Sequence, residues 1–145
     1  MAKIYLEGKV LKIVVIDGQG GKIGRAIVDA VVKMEKRDVE LVAIGTNSFA
    51  TTAMIKAGAQ EAATGENPVV VNAYDADIII GPVGIMAANS LMGEVTPKMA
   101  LAVSESHAEK ILIPVTKCKI TVAGVAPMPM NDYVAAAIRH LCERI

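Results

Sequence analysis

The sequence contains very few aromatic residues and no tryptophan. Among its 145 residues are three tyrosines and one phenylalanine, whereas hydrophobic residues make up 53% of the chain. A chain of this length buries a sizeable core, and here that core must be built from aliphatic side chains. The length also predicts one domain, over residues 1–145.

Neither sign of charge is in excess, since 15 Lys and Arg residues balance 15 Asp and Glu residues. Nucleic acids and anionic membranes bind basic surfaces, so this balance argues against both partners. No apolar run approaches the roughly 20 residues that cross a bilayer, and we expect no membrane span. The high apolar content then predicts a homo-oligomer that buries an apolar patch between subunits.

Cysteine and histidine are also scarce. Cys118 and Cys142 lack the spacing of a metal or redox motif, which predicts a reducing, cytoplasmic setting. His107 follows one predicted helix and His140 lies on another, so they predict no metal site. Cys118 is expected to be a buried thiol, and no residue stands out as catalytic.

Glycine, in contrast, is concentrated directly after an apolar run. The run Ile13–Ile16 is β-branched throughout, as in a strand that is buried on both faces. Four glycines follow within seven residues, and apolar residues then recur at helical spacing from Lys22, in a helix expected to end at residues 37–38. Where a strand enters a helix through glycines, free amide N–H groups and the helix dipole attract an anion. The residues predicted to bind such a ligand are Asp17, Gly18, Gln19, Gly20, Gly21, Lys22, Ile23 and Gly24.

The spacing of these glycines matches no standard motif. Gly18-x-Gly20-x-x-x-Gly24 is one residue longer than the dinucleotide fingerprint G-x-G-x-x-G. It also lacks the Lys-Ser/Thr pair of phosphate loops, which disfavours triphosphate hydrolysis. The alternative is a structural loop that lets the helix pack closely on the sheet. Two residues of the loop each have two interpretations. Lys22 either pairs with a phosphate or is solvated. Asp17 either binds a ligand or bonds the loop amides.

The rest of the chain alternates predicted strands with predicted helices. The strands are 10–17, 39–44, 60–64, 78–80 and 111–115. Asn67 and Pro68 are expected to begin a helix as its N-cap and first residue. Only residues 116–119 separate the fifth strand from another apolar run at 120–125, which predicts an antiparallel hairpin at the sheet edge. Residues 3–9 form either a short edge strand or a mobile extension.

These elements predict an α/β fold, a Rossmann-like three-layer sandwich. We expect a mostly parallel sheet of about five strands with an antiparallel edge strand. Such sheets bind ligands at the carboxyl ends of their strands. The residues expected at that edge, besides the glycine loop, are Gly45, Thr46, Asn47 and Ser48, then Gly65, Glu66 and Asn67, then Gly81, Pro82, Val83 and Gly84.

The residues after the second strand bear on the choice of cofactor. A dinucleotide site places an acid there, on the ribose 2′-hydroxyl. Thr46, Asn47 and Ser48 are neutral, which favours NADP over NAD, or they only cap the next helix. The turn Gly81–Gly84 either contacts the far half of a dinucleotide or only shapes the strand exit.

The sequence therefore predicts a protein that binds a phosphate-bearing small molecule. The first hypothesis is a nucleotide or dinucleotide, with NADP or NAD as the cofactor. A second is an enzyme that acts on a small phosphorylated or carboxylated metabolite at the same edge. A third is a structural or regulatory assembly module whose glycines bind no ligand.

Several motifs together resemble a known family. They are Ile16-Asp-Gly-Gln-Gly-Gly21 with Ile23-Gly24, then Gly45–Asn47, Ala63–Asn67, Asp77–Pro82 and Gly93–Lys98. The chain is similar to a small bacterial family that is catalogued only as a domain of unknown function. The similarity runs from Leu11 onward, and the segment before Val10 is an addition to it. It implies a bacterial, cytoplasmic setting and no assigned activity.

Overall fold

The computed structural model describes residues 8–115 and 119–145. Five strands alternate with helices along these residues. The strands are β1 (Leu11–Asp17), β2 (Val39–Gly45), β3 (Glu61–Thr64), β4 (Ile78–Pro82) and β5 (Glu109–Ile113). The helices are α1 (Lys22–Lys33), α2 (Ser48–Lys56), α3 (Glu66–Asp75), α4 (Pro97–Glu105) and α5 (Met130–Cys142), with a short 3-10 helix at Val83–Met86.

The strands form one parallel sheet in the order β3-β2-β1-β4-β5. In the central strand, Val14 lies opposite Val42 of β2 on one side and Ile79 of β4 on the other. From β1, the chain adds β2 and β3 on one side of the sheet and then crosses over to add β4 and β5 on the other side. The strand order therefore reverses between β1 and β4. This α/β architecture confirms the predicted Rossmann-like sandwich, and ligands of such sheets bind at the carboxyl edge where the order reverses.

Helices cover both faces of the sheet. Ile13 and Val15 of β1 point to the face that packs against α1, α2 and α5, whereas Val14 and Ile16 point to α3 and α4. All four side chains are at most 2% exposed, as the β-branched run predicted. The fully buried core of the described residues is aliphatic, and it contains no aromatic side chain.

The predicted antiparallel edge strand is wrong. The edge strand β5 pairs in parallel with β4, with Ile80 opposite Ile111. Residues 119–129 contain no strand, and the positions from 121 onward are exposed. A strand there would have no buried face to hold it against the sheet. The rest of the predicted hairpin turn, residues 116–118, lies outside the described residues.

Two helix boundaries also differ from the prediction. Helix α3 begins at Glu66 after Gly65, so Asn67 is not its N-cap and Pro68 is its third residue. Proline is tolerated there because first-turn N–H groups have no helical partner. Helix α1 ends at Lys33, before the predicted end at residues 37–38.

The segment at residues 3–9 is described only at its end. Gly8 and Lys9 form no strand, and Lys9 pairs with Asp77 at 2.9 Å. Residues 1–7 lie outside the described part of the chain. Among the described helices, none has the length and hydrophobicity needed to span a bilayer.

Candidate functional site

The loop between β1 and α1 lies at the carboxyl edge where strand order reverses. It is held by Asp17, the last residue of β1, which is only 4% exposed. One oxygen of the Asp17 carboxylate accepts the Gly18 N–H at 2.8 Å, and the other accepts the Gly24 N–H at 2.7 Å. The carboxylate therefore ties the end of β1 to the first turn of α1, whose N-cap Gly21 provides no side-chain cap.

Burial dominates the electrostatics of Asp17. It raises the pKa of the Asp17 carboxyl above its ordinary value, against the opposing effect of the hydrogen bonds from the Gly24 and Gly18 amides. The nearby carboxylate of Glu94 raises this pKa further.

Packing accounts for three of the four loop glycines. A Cβ at Gly18 would lie 2.4 Å from Oγ1 of Thr46, and one at Gly24 would lie 2.6 Å from Sδ of Met54. Gly21 has φ +72° and its backbone lies against Ala50. Gly20 differs, because a Cβ there would meet no atom within 4 Å and the residue is exposed. The fold itself does not require glycine at position 20.

Most amides of the loop have protein acceptors. Besides the two bonds to Asp17, the Gly21 N–H donates to the Gly18 carbonyl at 2.9 Å and the Gln19 N–H donates to Glu94 at 2.9 Å. The expectation of free amides is therefore wrong for these four residues. Within the described residues, the N–H groups of Gly20 and Lys22 have no acceptor. These two amides mark the part of the loop that is open to an anion.

Glu94 is a residue of the site that sequence analysis missed. Its atom Oε1 accepts hydrogen bonds from the Gln19 N–H, from the Thr46 hydroxyl at 2.8 Å and from the Asn47 side-chain amide. Burial alone would raise the pKa of Glu94, but these three donors together hold it below its ordinary value. Glu94 is therefore ionised at neutral pH. Its hydrogen bond from Thr46 places the carboxylate beside the carboxyl end of β2.

Asn47 connects the same cluster to α2. Its side-chain oxygen accepts the Ala50 N–H at 2.9 Å, which confirms the predicted N-cap, and its amide nitrogen also donates to the Gln19 carbonyl at 2.9 Å. Ser48 is the first residue of α2. Gly45 is required by packing, since a Cβ there would lie 2.2 Å from Oγ1 of Thr51.

A cleft of about 140 Å³ opens beside the glycine loop. One wall consists of residues 17–23, and the other is mostly apolar and consists of Pro82, Leu91, Val115 and Met130. Pro82 is among the residues expected from the sequence, whereas the other three come from distant parts of the chain. A larger hollow of about 380 Å³ lies beside Val39 and Gly58, away from the loop.

The remaining predicted rim residues are not brought into this cleft. Gly81 packs against β1, where a Cβ would lie 2.2 Å from the Ile16 carbonyl oxygen, and Val83 and Gly84 lie in the 3-10 helix. Glu66 accepts a hydrogen bond from the Thr96 hydroxyl at 2.6 Å. The other two residues near Glu66, namely Gly65 and Asn67, do not line the cleft either.

The segment Ala87–Val95, here called the cover segment, supplies Leu91 and Glu94. Three of its non-glycine residues have positive φ: Asn89 at 64°, Leu91 at 53° and Met92 at 58°. Such conformations are uncommon and often occur at functional sites. No group of three His, Cys, Asp or Glu side chains in residues 8–115 and 119–145 is placed to bind a metal ion.

Fold and site together define a Rossmann-like α/β protein with a glycine loop at the reversal of strand order. The family model of Domain of unknown function (DUF3842) matches residues 12–145, so the chain belongs to that family. No curated protein matches the sequence. Among solved structures, the chain is similar to a dodecameric FMN-dependent Ubix-like decarboxylase from Escherichia coli O157:H7. The two are 17% identical with a TM-score of 0.46, and the match covers 90% of this chain and 75% of that one.

Proposed function

We propose that the protein binds a nucleotide or dinucleotide, with a phosphate on the N–H groups of Gly20 and Lys22. The observation that carries this proposal is the open space at Gly20, the loop glycine that packing does not explain. Its N–H lacks an acceptor among the described residues, and a residue without a side chain lets a phosphate approach the backbone. Lys22, exposed at the first position of the 12-residue helix α1, adds a positive charge.

The shape of the cleft supports a ligand that has an anionic end and an apolar portion. The phosphate lies on the glycine side, and a base or nicotinamide packs on Pro82, Leu91 and Met130. Drug-sized ligands usually occupy about 300–1,000 Å³, so a cleft of about 140 Å³ covers part of a dinucleotide. The remainder extends over the rim, where a second subunit would cover it.

The same volume favours a second candidate, an enzyme that acts on a small phosphorylated metabolite. Such a molecule would fit the cleft completely, again with its phosphate on Gly20 and Lys22. The buried Asp17 carboxylate is already bonded to two amides, so it would position the loop rather than exchange protons.

Thermal shift and calorimetry distinguish these functions. The panel contains ADP, ATP, GTP, NAD and NADP, with glycerol 3-phosphate and phosphoenolpyruvate as small phosphorylated probes. A ligand at 100 times its Kd stabilises the protein by about 2.7 kcal/mol. Stabilisation by nucleotides supports the proposal, stabilisation only by the small probes favours the second candidate, and no stabilisation favours the assembly module.

The variant Gly20→Val tests whether the phosphate of the ligand binds at the Gly20 and Lys22 amides. A valine fits the open space, so the variant should fold like the wild type while its side chain covers the Gly20 and Lys22 amides. Ala135→Val, which adds the same side chain on the exposed surface of α5, is the matched control. Unchanged nucleotide affinity in Gly20→Val would show that the phosphate lies elsewhere.

A further inference from the structure

The carboxylate of Glu94 is fixed at the end of β2 by two residues between β2 and α2 and by one residue of the glycine loop. Gln19, Thr46 and Asn47 all donate to one oxygen, Oε1. The second oxygen, Oε2, has no hydrogen-bond donor within the described residues. It is therefore a charged acceptor that the fold holds in place and leaves available at the rim.

The residue that Glu94 bonds, Gln19, directly precedes the first of the two open amides. Glu94 bonds the Gln19 N–H, and the next amide, that of Gly20, has no acceptor among the described residues. Glu94 is not among the residues that line the cleft. If the phosphate of a nucleotide lies on Gly20 and Lys22 with its sugar toward Gln19, the ribose is the group that adjoins Glu94.

We propose that Glu94 binds the ribose hydroxyls of a ribonucleotide and excludes ligands that carry a 2′-phosphate. This inference rests on the proposed nucleotide-binding function. Two vicinal hydroxyls can both donate to one carboxylate, whereas a second phosphate would meet a like charge. Like-charge contacts across an interface cost several kcal/mol.

With Glu94 in this position, Thr46 and Asn47 do not favour NADP. As free donors they would favour a 2′-phosphate, but both side chains already donate to Glu94. The acid that sequence analysis did not find after β2 is supplied from the cover segment, 47 residues beyond Asn47. Its position relative to β2 and the loop is that of the ribose-binding acid in dinucleotide folds.

Two pairs of probes test this role by calorimetry on the full chain. NAD and NADP differ only in the 2′-phosphate, and ADP and 2′-deoxy-ADP differ only in the 2′-hydroxyl. The wild type should bind NAD and ADP at least about tenfold more tightly than NADP and 2′-deoxy-ADP, since a hydrogen bond to a charged group contributes about 1.5–3 kcal/mol.

Glu94→Gln, which keeps the shape of the side chain and removes its charge, should reduce both preferences to about threefold or less. Glu105→Gln removes an exposed carboxylate at the end of α4 and should leave both ratios unchanged. Thermal denaturation of each variant checks that the fold is retained. If Glu94→Gln unfolds, the wild-type ratios still decide the question.

The outcomes separate this inference from the proposed function. Equal wild-type affinities for NAD and NADP, or ratios that Glu94→Gln does not alter, overturn the role of Glu94 while nucleotide binding stands. Tighter binding of NADP overturns it as well. Absence of binding by all four probes overturns both proposals.

Discussion

The carboxylate of Glu94 accepts the backbone N–H of Gln19 at 2.9 Å across 75 residues of sequence. This bond joins the cover segment to the glycine loop, and it places a negative charge beside the loop that sequence analysis predicted as an anion site. The open part of the loop is therefore limited to Gly20 and Lys22. The negative charge of Glu94 beside it disfavours ligands that carry a second phosphate there.

The first prediction concerns Asp17→Asn. The asparagine NH₂ group would face one of the two amides that Asp17 now accepts, leaving a buried N–H without a partner. We expect the free energy of unfolding to fall by about 1–3 kcal/mol, toward the lower end because the neutral side chain avoids the cost of burying a charge. Urea denaturation at pH 7 measures the change. Asp38→Asn, at an exposed position, is the control, and equal stability of both variants would contradict the role given to Asp17.

The second prediction compares Gly24→Ala with Gly20→Ala. The new methyl group at position 24 would lie 2.6 Å from Sδ of Met54 and 2.8 Å from Cβ of Asp17. Overpacking of this kind costs about 1–3 kcal/mol, whereas the methyl group at position 20 meets no neighbour. Chemical denaturation should therefore show a clear loss for Gly24→Ala and little change for Gly20→Ala. The reverse order would show that the loop packs differently.

The local part of this site was predictable from sequence. The β-branched run of β1, the glycines and the apolar spacing of α1 each lie within about a dozen residues, as does the capping of α2 by Asn47. These features gave the α/β fold and the position of the loop.

The features that the sequence did not predict correctly depend on contacts between residues that are far apart in the chain. Glu94 lies in a segment without regular periodicity, and nothing local indicates that it reaches Gln19 and Thr46. The start of α3 was misplaced because Asn67-Pro68 is a typical cap sequence, yet Glu66 bonds Thr96 and Gly65 takes φ +104°. The hairpin was predicted from a short connection and an apolar run, but that run is exposed at residues 121–125.

The third prediction concerns pH. The pKa of Glu94 is held below its ordinary value of 4.5, so its hydrogen bonds stabilise the folded protein fully above pH 4.5. This contribution is lost as the pH falls through the folded-state pKa. The difference in Tm between the wild type and Glu94→Gln should therefore be constant from pH 7 to about 5 and shift against the wild type at lower pH.

Asp17 acts in the opposite direction but does not obscure this comparison. Its raised pKa makes the folded state less stable as the pH rises from 3.8 through the folded-state value. Asp17 is present in both proteins, so the difference in Tm mainly reports Glu94. Calorimetric scans between pH 3 and 7 measure it, and a pH-independent difference would contradict the assignment.

The fourth prediction concerns self-association. Three large side chains are almost fully exposed: Phe49 at 80%, Tyr74 at 86% and Met92 at 94%. Phe49 is the second residue of α2, and Met92 follows Leu91, which lines the cleft. Exposed apolar surface favours association, and we expect a dimer or larger assembly by light scattering at micromolar concentration. Phe49→Lys or Met92→Lys should weaken it, and a monomeric wild type would contradict the prediction.

The central claim is that a phosphate binds to the two loop amides that lack a protein acceptor. Crystals grown with ADP test it most directly. The account predicts phosphate oxygens within hydrogen-bonding distance of the Gly20 and Lys22 nitrogens, while Asp17 still accepts the amides of Gly18 and Gly24. ADP bound elsewhere, with the Gly20 and Lys22 amides facing only solvent, would contradict it.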